Sequence, residues 1–189
     1  MYIKDMLPLY VVNNYGQFNH LIHRMIRDLE IEVRMIPNTT PANEVRNQCR
    51  GIILGGGPSM ERTGNCAEYL HLDIPVLGIC LGHQLIALEF GGEIGPGTAG
   101  GYGSVDVDIL RHGQLLSGYP ERIHVWASHA DEVKHLPDGF EILAASSICQ
   151  IEAIASEDKR MYGLQWHPEV SHSKDGHLIY ENFNRICME

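Results

Sequence analysis

The segment Val76-Leu77-Gly78-Ile79-Cys80-Leu81-Gly82-His83-Gln84 constrains this chain more than any other. A short apolar run leads, with no loop between, into residues 82–90, whose apolar positions have helical spacing. Strand and helix must therefore meet in an abrupt turn, and the single residue at its apex is a cysteine. Gly78 and Gly82 stand two positions to either side, the G-x-S-x-G pattern of a nucleophile elbow with sulfur in place of oxygen. Small residues are needed there because a sharp strand-to-helix turn crowds its neighbours. An isolated cysteine is more often a buried structural residue; the paired glycines at the junction reverse that preference for Cys80.

The same alternation runs through the first half of the chain. Residues 9–12, 31–36, 51–54 and 74–79 are short strand-like runs, and residues 18–29 place Phe18, Leu21, Ile22, Met25, Ile26 and Leu29 on one helical stripe. This predicts an α/β fold with a mainly parallel central sheet flanked by helices. Residues 104–110, 122–126, 140–143 and 152–155 instead alternate with period two, as half-exposed strands do. They predict an additional small antiparallel portion before residues 161–166 rejoin the sheet and a helix over 176–186 follows. With 189 residues and no repeat, linker or low-complexity stretch, the expected organisation is a single domain over 1–189.

Charge and composition exclude several classes. A formal net charge of −10 argues against a nucleic-acid binder, which would show a basic patch. Charged or polar residues interrupt every apolar stretch before it reaches bilayer length, so no membrane association is expected. Residues 1–8 lack the basic, apolar and small-residue regions of a signal peptide. The five cysteines are odd in number, dispersed and free of C-x-x-C pairs, which fits a reducing cytoplasm. His20 with His23, and His172 with His177, have no cysteine or carboxylate at recognised zinc spacing, so no metal is expected. Residues 95–100 match G-x-G-x-x-G literally, but Pro96 intrudes and a strand pattern follows where a dinucleotide site needs a helix. The glycine turn at 55–59 lacks the G-K-[ST] of a phosphate loop.

A free thiol with a pKa of about 8.5 is only a few per cent thiolate at neutral pH. The first turn of a helix favours the anion, and an adjacent imidazolium adds to that. The candidate imidazole is in Trp166-His167-Pro168-Glu169. A residue before proline is driven toward extended backbone, where positions i and i+2 point to the same side. His167 and Glu169 would then project together, the carboxylate orienting the ring. Alone, His-Pro-Glu also fits a surface turn; the Cys80 elbow gives it weight, although their meeting depends on the fold.

At Gly78-Ile79-Cys80-Leu81-Gly82-His83-Gln84 and His167-Pro168-Glu169 the sequence resembles the class I glutamine amidotransferases, whose pattern is G-x-C-x-G-x-Q followed late in the chain by H-P-E. The resemblance implies a Cys80-His167-Glu169 triad that hydrolyses L-glutamine through a glutamyl thioester to glutamate and ammonia. It also implies an oxyanion hole from the backbone amides of Gly57 and Leu81, with Gln84 near the substrate. The segment Trp126-Ala127-Ser128-His129-Ala130-Asp131 is similar to the W-x-S-H-G-D segment of family members that serve GMP synthesis. That similarity implies Ser128 and His129 on the glutamine backbone and Asp131 near a partner surface. Ala130 in place of the usual glycine, and Gly101 in place of an acidic residue before Tyr102-Gly103, are departures expected to alter that surface. The chain has no S-G-G-x-D-S nucleotide loop. The resemblance therefore implies a two-subunit arrangement in which a separate XMP-activating ATP pyrophosphatase subunit holds ATP and magnesium, and this chain holds no cofactor. Three alternatives stay open: service to another acceptor, a γ-glutamyl hydrolase that releases ammonia unproductively, and a non-catalytic regulator that keeps the fold.

Overall fold

In the computed structural model the described residues are 7–189. Residues 1–6, part of the stretch read for a signal peptide, lie outside them, as do the side chains of residues 98–100 in the glycine motif. The strands, in chain order, are β1 (Leu9–Asn13), β2 (Val33–Pro37), β3 (Gly51–Leu54), β4 (Val76–Ile79), β5 (Glu93–Ile109), β6 (Arg122–His135), β7 (Glu141–Ser146), β8 (Ala153–Ser156) and β9 (Met161–Leu164). The helices are α1 (Asn19–Asp28), α2 (Ala42–Val45), α3 (Cys66–Tyr69), α4 (Leu81–Glu89) and α5 (His177–Met188).

Strands β1, β3 and β4 are apolar at successive positions because both of their faces are covered. Leu9 and Val11 of β1, Ile53 of β3, and Leu77 and Ile79 of β4 join a core with Ile22 and Ile26 of α1 and Ile179, Tyr180 and Phe183 of α5. The alternate residues Tyr10, Val12, Ile52, Leu54 and Val76 face the other way, against Val45 of α2, Tyr69 of α3, and Leu85 and Ile86 of α4. Period-two alternation thus distributes one strand between two cores. The helical stripe of α1 packs as its spacing predicts at Ile22, Met25, Ile26 and Leu29; Leu21 is half-buried outside both cores, and the other exception is Phe18. That residue stands just before the helix, and its ring meets His167 edge-on, 5.0 Å between centroids.

All nine strands form one sheet in the order β2-β1-β3-β4-β9-β8-β7-β5-β6. From β2 to β9 the pairs are parallel, and from β9 to β6 antiparallel. The antiparallel portion expected from the period-two pattern is continuous with the parallel sheet. Strands β5 and β6 are longer than their alternation suggests, because they pair as a hairpin almost from end to end, with irregularities next to Glu93 and between Pro96 and Gly101. The G-x-G-x-x-G match at 95–100 therefore lies inside a strand. The helices α2 and α3 are too short to show a period, so no pattern along the chain announces them. Among the described residues no helix is long and apolar enough to cross a membrane.

The parallel strands β1, β3, β4 and β9 end side by side, and open α/β sheets bind ligands at such carboxyl ends. Asn13 ends β1, the turn Gly55-Gly56-Gly57 follows β3, Cys80 follows β4, and Gln165 follows β9. The approach of α4 to this edge depends on glycine. A Cβ on Gly82 would lie 2.3 Å from the Leu54 carbonyl oxygen, and one on Gly78 would lie 2.3 Å from the Gly82 carbonyl carbon. Both are contacts with backbone, which cannot move aside alone. Gly82→Ala is expected to cost about 1–3 kcal/mol, the usual scale for overpacking, read as a lower urea midpoint at unchanged m-value.

Candidate active site

Cys80 stands at the N-terminus of α4 with φ 54° and ψ −102°, a left-handed conformation unusual for a residue with a side chain. Its amide donates to the Leu164 carbonyl at 2.8 Å, and its carbonyl accepts from the Gln84 amide at 3.1 Å. The elbow read from the glycine spacing is therefore present. The sulfur lies 3.7 Å from the Ser128 carbonyl oxygen, and its other neighbours are the His167 ring and Gln165.

His167 follows β9 and the bend at Gln165-Trp166, immediately before a turn at Pro168-Glu169. The extended backbone expected for this segment is not what brings the pair together; the turn is. His167 Nδ1 is 2.7 Å from Glu169 Oε1, and both side chains are buried. A carboxylate oxygen accepts, so the ring proton of this bond sits on Nδ1 and Nε2 is left for the thiol. Burial by itself pushes the His167 pKa down. Hydrogen bonds to Cys80 and Glu169, and the negative charge of both partners, outweigh it and raise the value. The ring is thus disposed to carry a proton.

Four contacts that the sequence does not announce hold this pair. Tyr180 Oη donates to Glu169 Oε2 at 3.5 Å, and the His167 amide donates to the Trp126 carbonyl at 3.0 Å. Ser173 bridges the two segments: its hydroxyl donates to the His167 carbonyl at 2.6 Å and accepts from the Trp126 amide at 3.0 Å. Trp126 and His167 each stand in a recognised segment, but no spacing along the chain announces that their backbones pair or that Ser173 and Tyr180 join them.

The Gly55-Gly56-Gly57 turn faces the sulfur, clamped from behind. Asn14 Nδ2 donates to the Gly55 carbonyl at 3.1 Å, and the Gly56 carbonyl accepts from Asn19 Nδ2 at 3.0 Å and the Gly16 amide at 3.1 Å. A Cβ on Gly57 would lie 2.5 Å from the Asn14 carbonyl oxygen and 2.6 Å from Leu81 Cδ2. Among the described residues, neither the Gly57 amide nor the Leu81 amide is paired with a carbonyl. For Leu81 this follows from its place in the first turn of a helix, where amides have no intrahelical partner.

Two clefts open at Cys80. One, of about 270 Å³, is lined among others by Gly57, Leu81, Gln84, Tyr102, Ser128 and His129, with Ala130 and Asp131 also contributing. The other, of about 250 Å³, is lined by Tyr15, Phe18, Asn19, Gly56 and His167 among others. The Asp131 side chain is exposed, and its carbonyl accepts from Gln84 Nε2 at 2.7 Å and from His129 Nδ1 at 3.0 Å. Burial lowers the His129 pKa. Gly101 does not lie on the exposed rim. It is buried under the His129 ring, where a Cβ would come within 2.2 Å of Nε2. The Gly101 departure therefore concerns the interior of the β5–β6 hairpin, whereas Ala130 is exposed at the cleft.

The "Glutamine amidotransferase class-I" family matches residues 10–187. A Methanoregula boonei protein, named as a glutamine-hydrolyzing GMP synthase subunit, is 64% identical over 184 residues, covering 97% of this chain and 100% of that protein. Its namesake from Archaeoglobus fulgidus is 55% identical over 182 residues, covering 96% and 99%. Among solved structures, a Thermoplasma acidophilum protein described as a GMP synthase subunit superposes with a TM-score of 0.92 at 34% identity, covering 97% of this chain and 94% of that one. A glutamine amidotransferase from Thermotoga maritima, 21% identical, shares the fold with a TM-score of 0.72, covering 87% and 76%.

Glu169→Gln removes a carboxylate charge that raises the His167 pKa. The imidazolium of this variant is expected to lose its proton at lower pH than that of the wild type. The His167 ring signals in a pH-titrated NMR series measure it, and an unmoved titration would contradict the assigned pairing.

Proposed function

This chain belongs to the class-I glutamine amidotransferases, and on that premise we propose that it is the glutamine-hydrolysing component of a two-subunit GMP synthetase. The observation that carries the chemistry is the convergence on Cys80, where the two clefts meet, of a His167 ring paired with Glu169 and of the Gly57 and Leu81 amides, which among the described residues are unpaired.

In this reading glutamine enters the cleft bordered by Gln84, Ser128 and His129. The Cys80 thiolate attacks the side-chain carbonyl carbon, and the amides of Gly57 and Leu81 receive the charge that develops on oxygen. Donors of this kind typically contribute about 3–4 kcal/mol each to lowering the barrier. His167 gives its proton to the leaving nitrogen, so the C–N bond breaks and ammonia departs from a glutamyl thioester. The same ring then takes a proton from water as it attacks the thioester. Glutamate leaves and the thiolate returns. Glu169 keeps the ring in the tautomer that presents Nε2 to the sulfur.

The relatives' naming as GMP synthase subunits supports the acceptor. The partner would be a separate ATP pyrophosphatase subunit that activates XMP and binds ATP and magnesium, while this chain needs no cofactor. Asp131, exposed at the cleft rim, would lie near that partner. We place the reaction in the cytoplasm, where dispersed thiols stay reduced.

The test is reconstitution. The purified chain is mixed with the separate XMP-activating partner, and GMP is measured with glutamine or ammonia as nitrogen donor. Glutamine is expected to support synthesis only when this chain is present. Cys80→Ala should abolish the glutamine-dependent rate and leave the ammonia-dependent rate intact. His167→Ala should lose about 10²–10⁴-fold, the scale of general acid–base catalysis, and Glu169→Ala less. Synthesis from ammonia but never from glutamine would overturn the acceptor assignment.

A further inference from the structure

One buried polar side chain outside the family pattern touches the sulfur. Gln165 is 0% exposed, lines neither cleft, and places Nε2 3.7 Å from Cys80 Sγ. It gets there by register: Leu164 of β9 pairs with Ile79 of β4, so Gln165 is to β9 what Cys80 is to β4. Its Oε1 is 3.2 Å from Gln84 Nε2, and that same Nε2 is 2.7 Å from the Asp131 carbonyl oxygen.

The polarity of this relay is fixed from one end. A backbone carbonyl accepts and cannot donate, so the Gln84 atom facing Asp131 must be its NH₂ group. Gln165 must then turn oxygen toward Gln84 and NH₂ toward sulfur. The reversed amide would set two NH₂ groups against each other and a carbonyl oxygen against Cys80. Amide orientation is assigned from the hydrogen-bond network, and this network has one consistent solution.

We propose that Gln165 is a positioning residue for the nucleophile, its N–H held against the Cys80 thiolate by Gln84 and the Asp131 carbonyl. The proposal rests on the reading of Cys80 as the nucleophile. The neutral thiol has a different partner, because S–H can donate to the Ser128 carbonyl. On ionisation the sulfur becomes an acceptor only, and among the described residues the side-chain donors beside it are Gln165 and the His167 ring. A donor aimed at a buried anion favours the charged form.

The test is the pH dependence of Cys80 alkylation by iodoacetamide in the full chain, followed on the modified peptide by mass spectrometry. Gln165→Met keeps the length and removes the donor. Its alkylation profile should move to higher pH, with the rate at neutral pH about tenfold below wild type, equivalent to one unit. Glutaminase kcat should fall while KM for glutamine stays within about twofold, since Gln165 lines neither cleft. Gln165→Glu keeps the shape and sets a carboxyl against the sulfur, so its profile should move at least as far; it serves if the methionine variant does not fold. Gln84→Leu should move the profile the same way by less, because Gln165 keeps its donor and loses only its orientation. A folded Gln165 variant with the wild-type profile overturns the proposal. A wild-type chain whose Cys80 shows no titration at all would instead overturn the nucleophile assignment, and this proposal with it.

Discussion

The left-handed backbone at Cys80 is the constraint on which the rest of this structure depends. A non-glycine residue held there costs about 1–3 kcal/mol, and it persists only if its surroundings over-determine it. They do so at both ends: the Cys80 amide is committed to Leu164 and its carbonyl to the first full turn of α4. The glycines at 78 and 82 then let strand, elbow and helix approach until a single methyl group would not fit. The conformation lifts the sulfur out of the sheet, to the edge where four parallel strands end.

Around that fixed point the remaining groups are brought in by the sheet order. Placing β9 beside β4 sets His167 and Gln165 next to Cys80, although β9 follows four strands that pair antiparallel. The long β5–β6 hairpin supplies Ser128 through Asp131 along one wall. Two asparagines, Asn14 and Asn19, fasten the glycine turn after β3 by its Gly55 and Gly56 carbonyls, and the next residue, Gly57, lines the cleft. Side-chain amides do this well because each can both donate and accept.

Much of this is legible in the sequence. The apolar runs and the α1 stripe have enough length for their period to declare itself, and the elbow is a local pattern with a local steric reason. His167 and Glu169 are legible as a pair, though a turn rather than extended backbone unites them. What escapes has a common cause. Gln165, Ser173, Tyr180, Asn14 and Asn19 work through partners outside their own segments, and no local spacing encodes such a meeting. Periodicity assigns Phe18 to the core, but the helix begins one residue later and its ring turns to His167. Gly101 reads as a change in the partner surface; only the hairpin pairing reveals that it lies beneath His129.

That packing couples two positions that are far apart in the chain. While His129 occupies the space above residue 101, only glycine fits there without turning the imidazole aside. Any change that gives position 101 a side chain must be accompanied by a smaller or reoriented residue at 129. A relative that keeps histidine at 129 beside an acidic residue at 101 must therefore seat the imidazole elsewhere, so a graft of the hairpin tip from another protein would have to carry both positions.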